Sequence, residues 1–253
     1  MLKIILPSVI FVCTSIPSAF AACSYPLDTT ISDYAPLPSP MKAFPVISGQ
    51  SASAQVIASQ VNFWVAMSNS LTNAVQNSDP VGDVTVPTSG VFVVEANLSM
   101  PSVPSAGVIA LEPQVILDFG TVYPNGNEKT LILYPEVVAN SSTPNFIFAT
   151  SESSGNLLSI PLTAPYSNIR VGVYVNQNTK QIGVTVNGTN YGYLANYAAP
   201  IVKAAFNLQG VETGIQQGDT VVGTTIGGTL ITDASLISNI YPSGATDICG
   251  SVI

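Results

Sequence analysis

A chain of 253 residues with six Lys/Arg, fourteen Asp/Glu and no histidine carries a net charge of −8. That acidity disfavours nucleic acid and anionic lipid as partners, and the missing imidazole removes Ser-His-Asp and Cys-His catalysis and zinc sites built on histidine. Only 8% of residues are charged, so polarity falls to hydroxyls and amides, as in many exported β-proteins.

In chain order, residues 1–21 read as a secretory signal peptide: Lys3, the apolar run "IILPSVIFVCTSI", then Ala19-Phe20-Ala21 as a small-x-small cleavage site. The run is shorter than the roughly 20 residues that span a bilayer, and no membrane span is expected. Loss of the signal removes Lys3 and gives a mature charge of 5 − 14 = −9. It also removes Cys13, leaving Cys23 and Cys249, which an oxidising compartment would pair. A second reading of "FAAC" is a lipobox-like sequence with Cys23 acylated at its sulfur. Both readings place the protein outside the cytoplasm, in the periplasm, on the outer surface or in the medium.

Residues 22–253 read as one domain. Residues 22–50 are too proline-rich for helix and are expected to lie extended, with a first edge strand near Thr29 to Tyr34. Residues 51–77 place Ile57, Val61, Trp64, Val65, Ser68, Leu71 and Val75 at steps of three and four, which predicts one amphipathic helix with Trp64 packed on the core. Asp79 and Asp83 in "DPVGD" read as an ordinary helix-to-strand turn rather than a calcium site. Residues 79–253 break into short apolar runs bounded by Gly, Pro, Asn and Ser, the pattern of a β-sandwich. "PNGNEK" predicts a hairpin with a type I′ turn at Asn125-Gly126.

The most regular stretch is "IRVGVYVNQNTKQIGVTVNGTNYGYL", from Ile169 to Leu194. Its alternation puts Ile169, Val171, Val173 and Val175 on one face and Ile182, Val184 and Val186 on one face of the next strand. Asn187-Gly188 then turns into a third. This meander resembles that of concanavalin A-like sandwiches, the fold of legume lectins and laminin-G domains. The layout as a whole resembles a domain-of-unknown-function family of secreted proteins of Gram-negative bacteria. The resemblance implies a mainly β, antiparallel jelly-roll sandwich, here with one amphipathic α-helix near the N-terminus.

For function, "VNGTNYGYLANYAAP" gathers Asn187, Asn190, Tyr191, Tyr193, Asn196 and Tyr197, amides and aromatics suited to sugar hydroxyls and C–H faces. A non-enzymatic binding protein with a glycan or cell-surface partner therefore heads the expectations, without cofactor or metal. A structural or adhesive protein assembling through β-edges comes second. A carboxylate-dependent glycoside hydrolase comes third, because Glu95, Glu112, Asp118, Glu136 and Glu152 read as scattered, solvated residues. That third reading requires two acids facing each other in a cleft.

Overall fold

A computed structural model describes residues 23–34, 41–77, 82–100, 103–120, 130–140 and 143–253. The expected signal peptide, Asp79 and the "PNGNEK" turn lie outside them. In chain order the elements are β1 (Met41–Ala43), β2 (Val46–Ser48), β3 (Ser51–Gln55), β4 (Asn62–Met67), α1 (Asn69–Gln76) and β5 (Val84–Thr85). There follow β6 (Val91–Ser99), β7 (Val108–Asp118), β8 (Thr130–Ala139), β9 (Asn145–Thr150) and β10 (Leu158–Pro161). The last five are β11 (Ile169–Asn176), β12 (Gln181–Val186), β13 (Thr189–Asn196), β14 (Lys203–Thr213) and β15 (Thr225–Ile231).

Two sheets stack into a sandwich. One runs β1-β4-β14-β7-β8-β9-β10, with β5 also on β14; the other runs β13-β12-β11-β6-β15-β3-β2. Every pairing is antiparallel except β1 with β4. Alternation sends Ile169, Val171, Val173 and Val175 inward with Phe146, Phe148, Phe206 and Leu208 of the facing sheet, and these make one continuous core. The Ile169–Leu194 stretch forms the expected three-stranded meander. Asn187 and Gly188 take φ of 47° and 82°, as a type I′ turn requires.

Two glycines in that meander are there for close approach. A Cβ on Gly172 would lie 1.9 Å from the Tyr241 hydroxyl, and one on Gly183 would lie 2.1 Å from the Tyr174 ring. Tyr174 and Tyr241 lie on the outer face of this sheet, edge to face at 5.9 Å. A C-terminal segment bearing Ile237, Tyr241 and Ala245 crosses and covers that part of the face.

The expected helix over 51–77 is corrected. Only Asn69–Gln76 is helical, capped by the Ser68 hydroxyl, which accepts from the Leu71 N–H at 2.9 Å. Ser51–Gln55 alternates Ser and Ala, and buries Ala52 and Ala54 between β2 and β15. "NFWVAM" carries two aromatics and the β-branched Val65, and pairs with β1 and β14. Sheet pairing on both flanks outweighs a helical spacing that the apolar positions meet by coincidence. Trp64 packs beside Phe44, with ring centres 6.3 Å apart, and its Nε1–H donates to Glu212 Oε1 at 2.6 Å. The expected edge strand at Thr29–Tyr34 is instead a 3-10 turn over Ile31–Tyr34. Cys23 and Cys249 form a disulfide with sulfurs 2.01 Å apart. That bond fits an oxidising compartment and leaves no sulfur on Cys23 to acylate. No helix among the described residues is long and apolar enough to cross a membrane.

Candidate active site on the outer face of the larger sheet

Across β7 and β8, Leu111 pairs with Val137 and Val115 with Leu133, so facing residue numbers add to 248 on both sides of a gap in the ladder. The same register sets Glu112 opposite Glu136, Pro113 opposite Pro135 and Gln114 opposite Tyr134. Proline has no N–H to give, and the gap lies where two prolines face each other. The ladder between β7 and β14 runs unbroken past Pro113, so the missing donors belong to the β8 side. Glu112 and Glu136 then stand across from each other in the gap of the ladder, between the Leu111–Val137 and Val115–Leu133 pairs. Alternation puts both side chains on the outer face, because Leu111, Leu133 and Val137 belong to the core.

Registers extend this into a row across five strands: Gln209, Glu112, Glu136, Ile147 and Ser159. The next row carries Asn207, Gln114, Tyr134 and Ala149. An amide relay holds the near side. Gln114 Nε2 donates to Glu112 Oε1 at 3.0 Å, and Gln114 Oε1 accepts from Asn207 Nδ2 at 2.8 Å and Gln209 Nε2 at 3.3 Å.

Burial, and then the neighbouring Glu136 charge, push the Glu112 carboxyl up to about 7, against a smaller opposing pull from the Gln114 hydrogen bond. Burial also raises Glu136. Two such carboxyls titrate as a coupled pair, and a midpoint near 7 leaves a substantial share of Glu112 protonated at neutral pH. With Oε1 of Glu112 accepting from Gln114, the proton belongs on Oε2.

Glu95 presents the opposite case. It is 1% exposed on the outer face of the other sheet. Its Oε2 meets Arg170 Nε at 3.0 Å, while Oε1 accepts from the Asn239 N–H at 2.7 Å and the Tyr241 hydroxyl at 2.8 Å. Arg170 also donates to the Leu236 carbonyl and the Ser238 hydroxyl. This network ties the C-terminal segment to the sheet. Asp118 accepts from the Gly82 and Gly120 N–H groups, Glu152 is exposed on a turn, and Asp83 accepts from the Tyr25 and Ser68 hydroxyls.

The six sequence-predicted ligand residues do not share one surface. Tyr197 is buried, its hydroxyl donating to the Asn176 carbonyl at 3.0 Å. Tyr191 packs toward the core from half-buried β13. Asn187 Oδ1 accepts from the Arg170 N–H, and Asn190 Oδ1 from the Tyr174 hydroxyl, both at 2.8 Å. Tyr193 is exposed, stacked edge-on against Tyr174 at 5.2 Å, and Asn196 is exposed at the strand end. A shallow depression elsewhere on this sheet, lined by Ser48, Ser51, Ser53, Asn97 and Thr229 among others, has no titratable side chain.

The chain belongs to the family described as domain of unknown function DUF4882, whose model matches residues 4–251. Among curated proteins none matches. Solved structures of similar architecture include the PL7 alginate lyase AlyA1 from Zobellia galactanivorans, with TM-score 0.41 and 9% identity over 58% of this chain and 61% of that one. They also include LamAcat from the same organism, with TM-score 0.41 and 14% identity over 75% and 80%. A third is the Bacillus licheniformis β-glucanase, with TM-score 0.38 and 10% identity over 76% and 82%. The present chain thus spans about three fifths of the alginate lyase. The likeness is one of sheet arrangement, and the site rests on this chain's own geometry.

The expectation of a non-enzymatic binder is corrected. Glu112 and Glu136 are not scattered: the register sets them opposite each other, both half-buried on the outer face. They supply the two facing acids that the carboxylate reading requires. Edge assembly has little to work with: β1, β2 and β10 are three or four residues long, and the β12–β13 pairing is interrupted by register shifts.

Proposed function

We propose that the protein is a carboxylate-dependent glycoside hydrolase with Glu112 as general acid and Glu136 as nucleophile. The carrying observation is the cross-strand pairing of these two acids on the outer face, with Glu112 raised to about 7 beside Glu136. Glu112 Oε2 delivers its proton to the glycosidic oxygen as the C1–O bond breaks, and a Glu136 carboxylate oxygen bonds C1. Water then attacks C1, loses its proton to Glu112, and frees Glu136. Close cross-strand neighbours correspond to the roughly 5 Å carboxyl separation of retaining enzymes, not to the 6.5–9.5 Å of inverting ones.

The test is reducing-end release from a set of glycan polymers, with the anomer of the first product read by proton NMR. Expected are retention of configuration and loss of release in Glu112→Gln and in Glu136→Gln. Release that survives both substitutions overturns the assignment, and inversion overturns the nucleophile role of Glu136.

A further inference from the structure

We infer that the glycan bound across this pair carries no anionic groups, so that the site takes uncharged or amino-bearing chains and is closed to polyuronates. The inference rests on the acid-pair reading and adds the substrate's charge to it.

Without Lys3, the chain has five cations, at positions 42, 129, 170, 180 and 203. Lys129 lies outside the described residues. Arg170 is committed to Glu95 on the other sheet, and Lys180 to the Ala198 carbonyl at 3.0 Å. Lys42 sits on edge strand β1, bonded to Asn62 Oδ1 at 3.1 Å and 5.8 Å from the Trp64 ring centre. Lys203 is on β14 but in the row of Asp118 and Thr130. Six residues along the strand from Gln209, it stands about 20 Å away. Between them Ala205 and Ile116 lie under α1.

Among the described residues, the rows of the pair and the row beside it therefore hold no cation. Besides the acids and the apolar Ile147 and Ala149, they hold amide, phenol and hydroxyl groups: Gln209, Gln114, Asn207, Tyr134 and Ser159. These groups match neutral hydroxyls. Asn207 is 3% exposed, and its Oδ1 has no hydrogen-bond partner among the described residues, which adds an unmet acceptor to the same spot. A sugar carboxylate here would add one more negative charge beside a pair already too crowded to ionise readily, whereas an ammonium or hydroxyl donor would relieve it. The row from Gln209 to Ser159 crosses five strands, about 19 Å, which suits an oligomer rather than a single sugar.

The experiment measures reducing-end release by the disulfide-bonded protein from laminarin (uncharged), chitosan (cationic) and alginate (a polyuronate). Glu112→Gln and Glu136→Gln are run beside it. The expected rate on alginate is at least about 100-fold below that on the better of the other two, with release abolished in both variants. Alginate cleaved at a comparable or higher rate, and lost in both variants, overturns the substrate inference while leaving the acid pair standing. Release that persists in both variants, or no release from any polymer, overturns the acid pair and the inference with it.

Discussion

Glu95 and Glu112 are both strand carboxylates drawn out of water, and their surroundings differ in one respect. Glu95 is answered by Arg170, two N–H groups and a tyrosine hydroxyl, so its charge is matched and its role is to hold the C-terminal segment down. Glu112 is answered by one amide and faced by a second acid. A buried acid with a cation is architecture, whereas a half-buried acid beside another acid is held ready to keep or give a proton.

The largest effect expected from breaking this contrast is on turnover. Glu112→Gln keeps the shape and the amide contact but removes the proton, and should lower reducing-end release by about a thousand-fold, within the range general acids supply. Its midpoint in urea should be unchanged or higher, because a half-buried charge beside a second acid is gone. Next comes Glu95→Ala, which strands the partly buried Arg170 and should cost about 3 kcal/mol in urea unfolding, with exchange protection lost first over the C-terminal segment. Cys23→Ser with Cys249→Ser should cost about 2–4 kcal/mol by the same measurement and leave the acid pair's titration unchanged.

The smallest effect is the pH dependence of stability. The unfolded Glu112 carboxyl ionises near 4.5 and the folded one near 7, so between those values the folded protein holds a proton that the unfolded chain has released. Stability is therefore full below about 4.5 and falls as pH rises through about 7. Glu112→Gln should flatten that slope, whereas Glu95→Ala should leave it in place.

The scaffold is legible in the sequence and the cross-strand acid pair is not, for reasons that lie in particular residues. The β11–β13 meander is legible because alternating aliphatics and Asn187-Gly188 specify both face and turn locally. The segment over 51–77 misleads because its apolar spacing suits a helix, while the partners that make Ser51–Gln55 and Asn62–Met67 strands lie far along the chain, in β15 and β14. The acid pair was hidden by register. A tight Asn125-Gly126 turn that continued both strands would pair 124 with 127, so that facing numbers add to 251. Glu112 would then face Ala139, and Glu136 would sit opposite Val115, on the inner face. The observed 248 shifts the pairing by three, an odd step, which brings Glu136 to the same face as Glu112. The signal available in the chain was the mirrored "LEPQ" and "YPEV", each with a glutamate beside a proline in an otherwise apolar strand.

The most direct test is a carboxyl-carbon NMR titration of Glu112 and Glu136 in the wild type and in Glu136→Gln. Expected are a Glu112 midpoint near 7, inflections shared between the two residues, and a downward move of Glu112 once Glu136 is neutral. Two independent midpoints in the ordinary carboxylate range, unchanged by the substitution, would contradict the coupled pair.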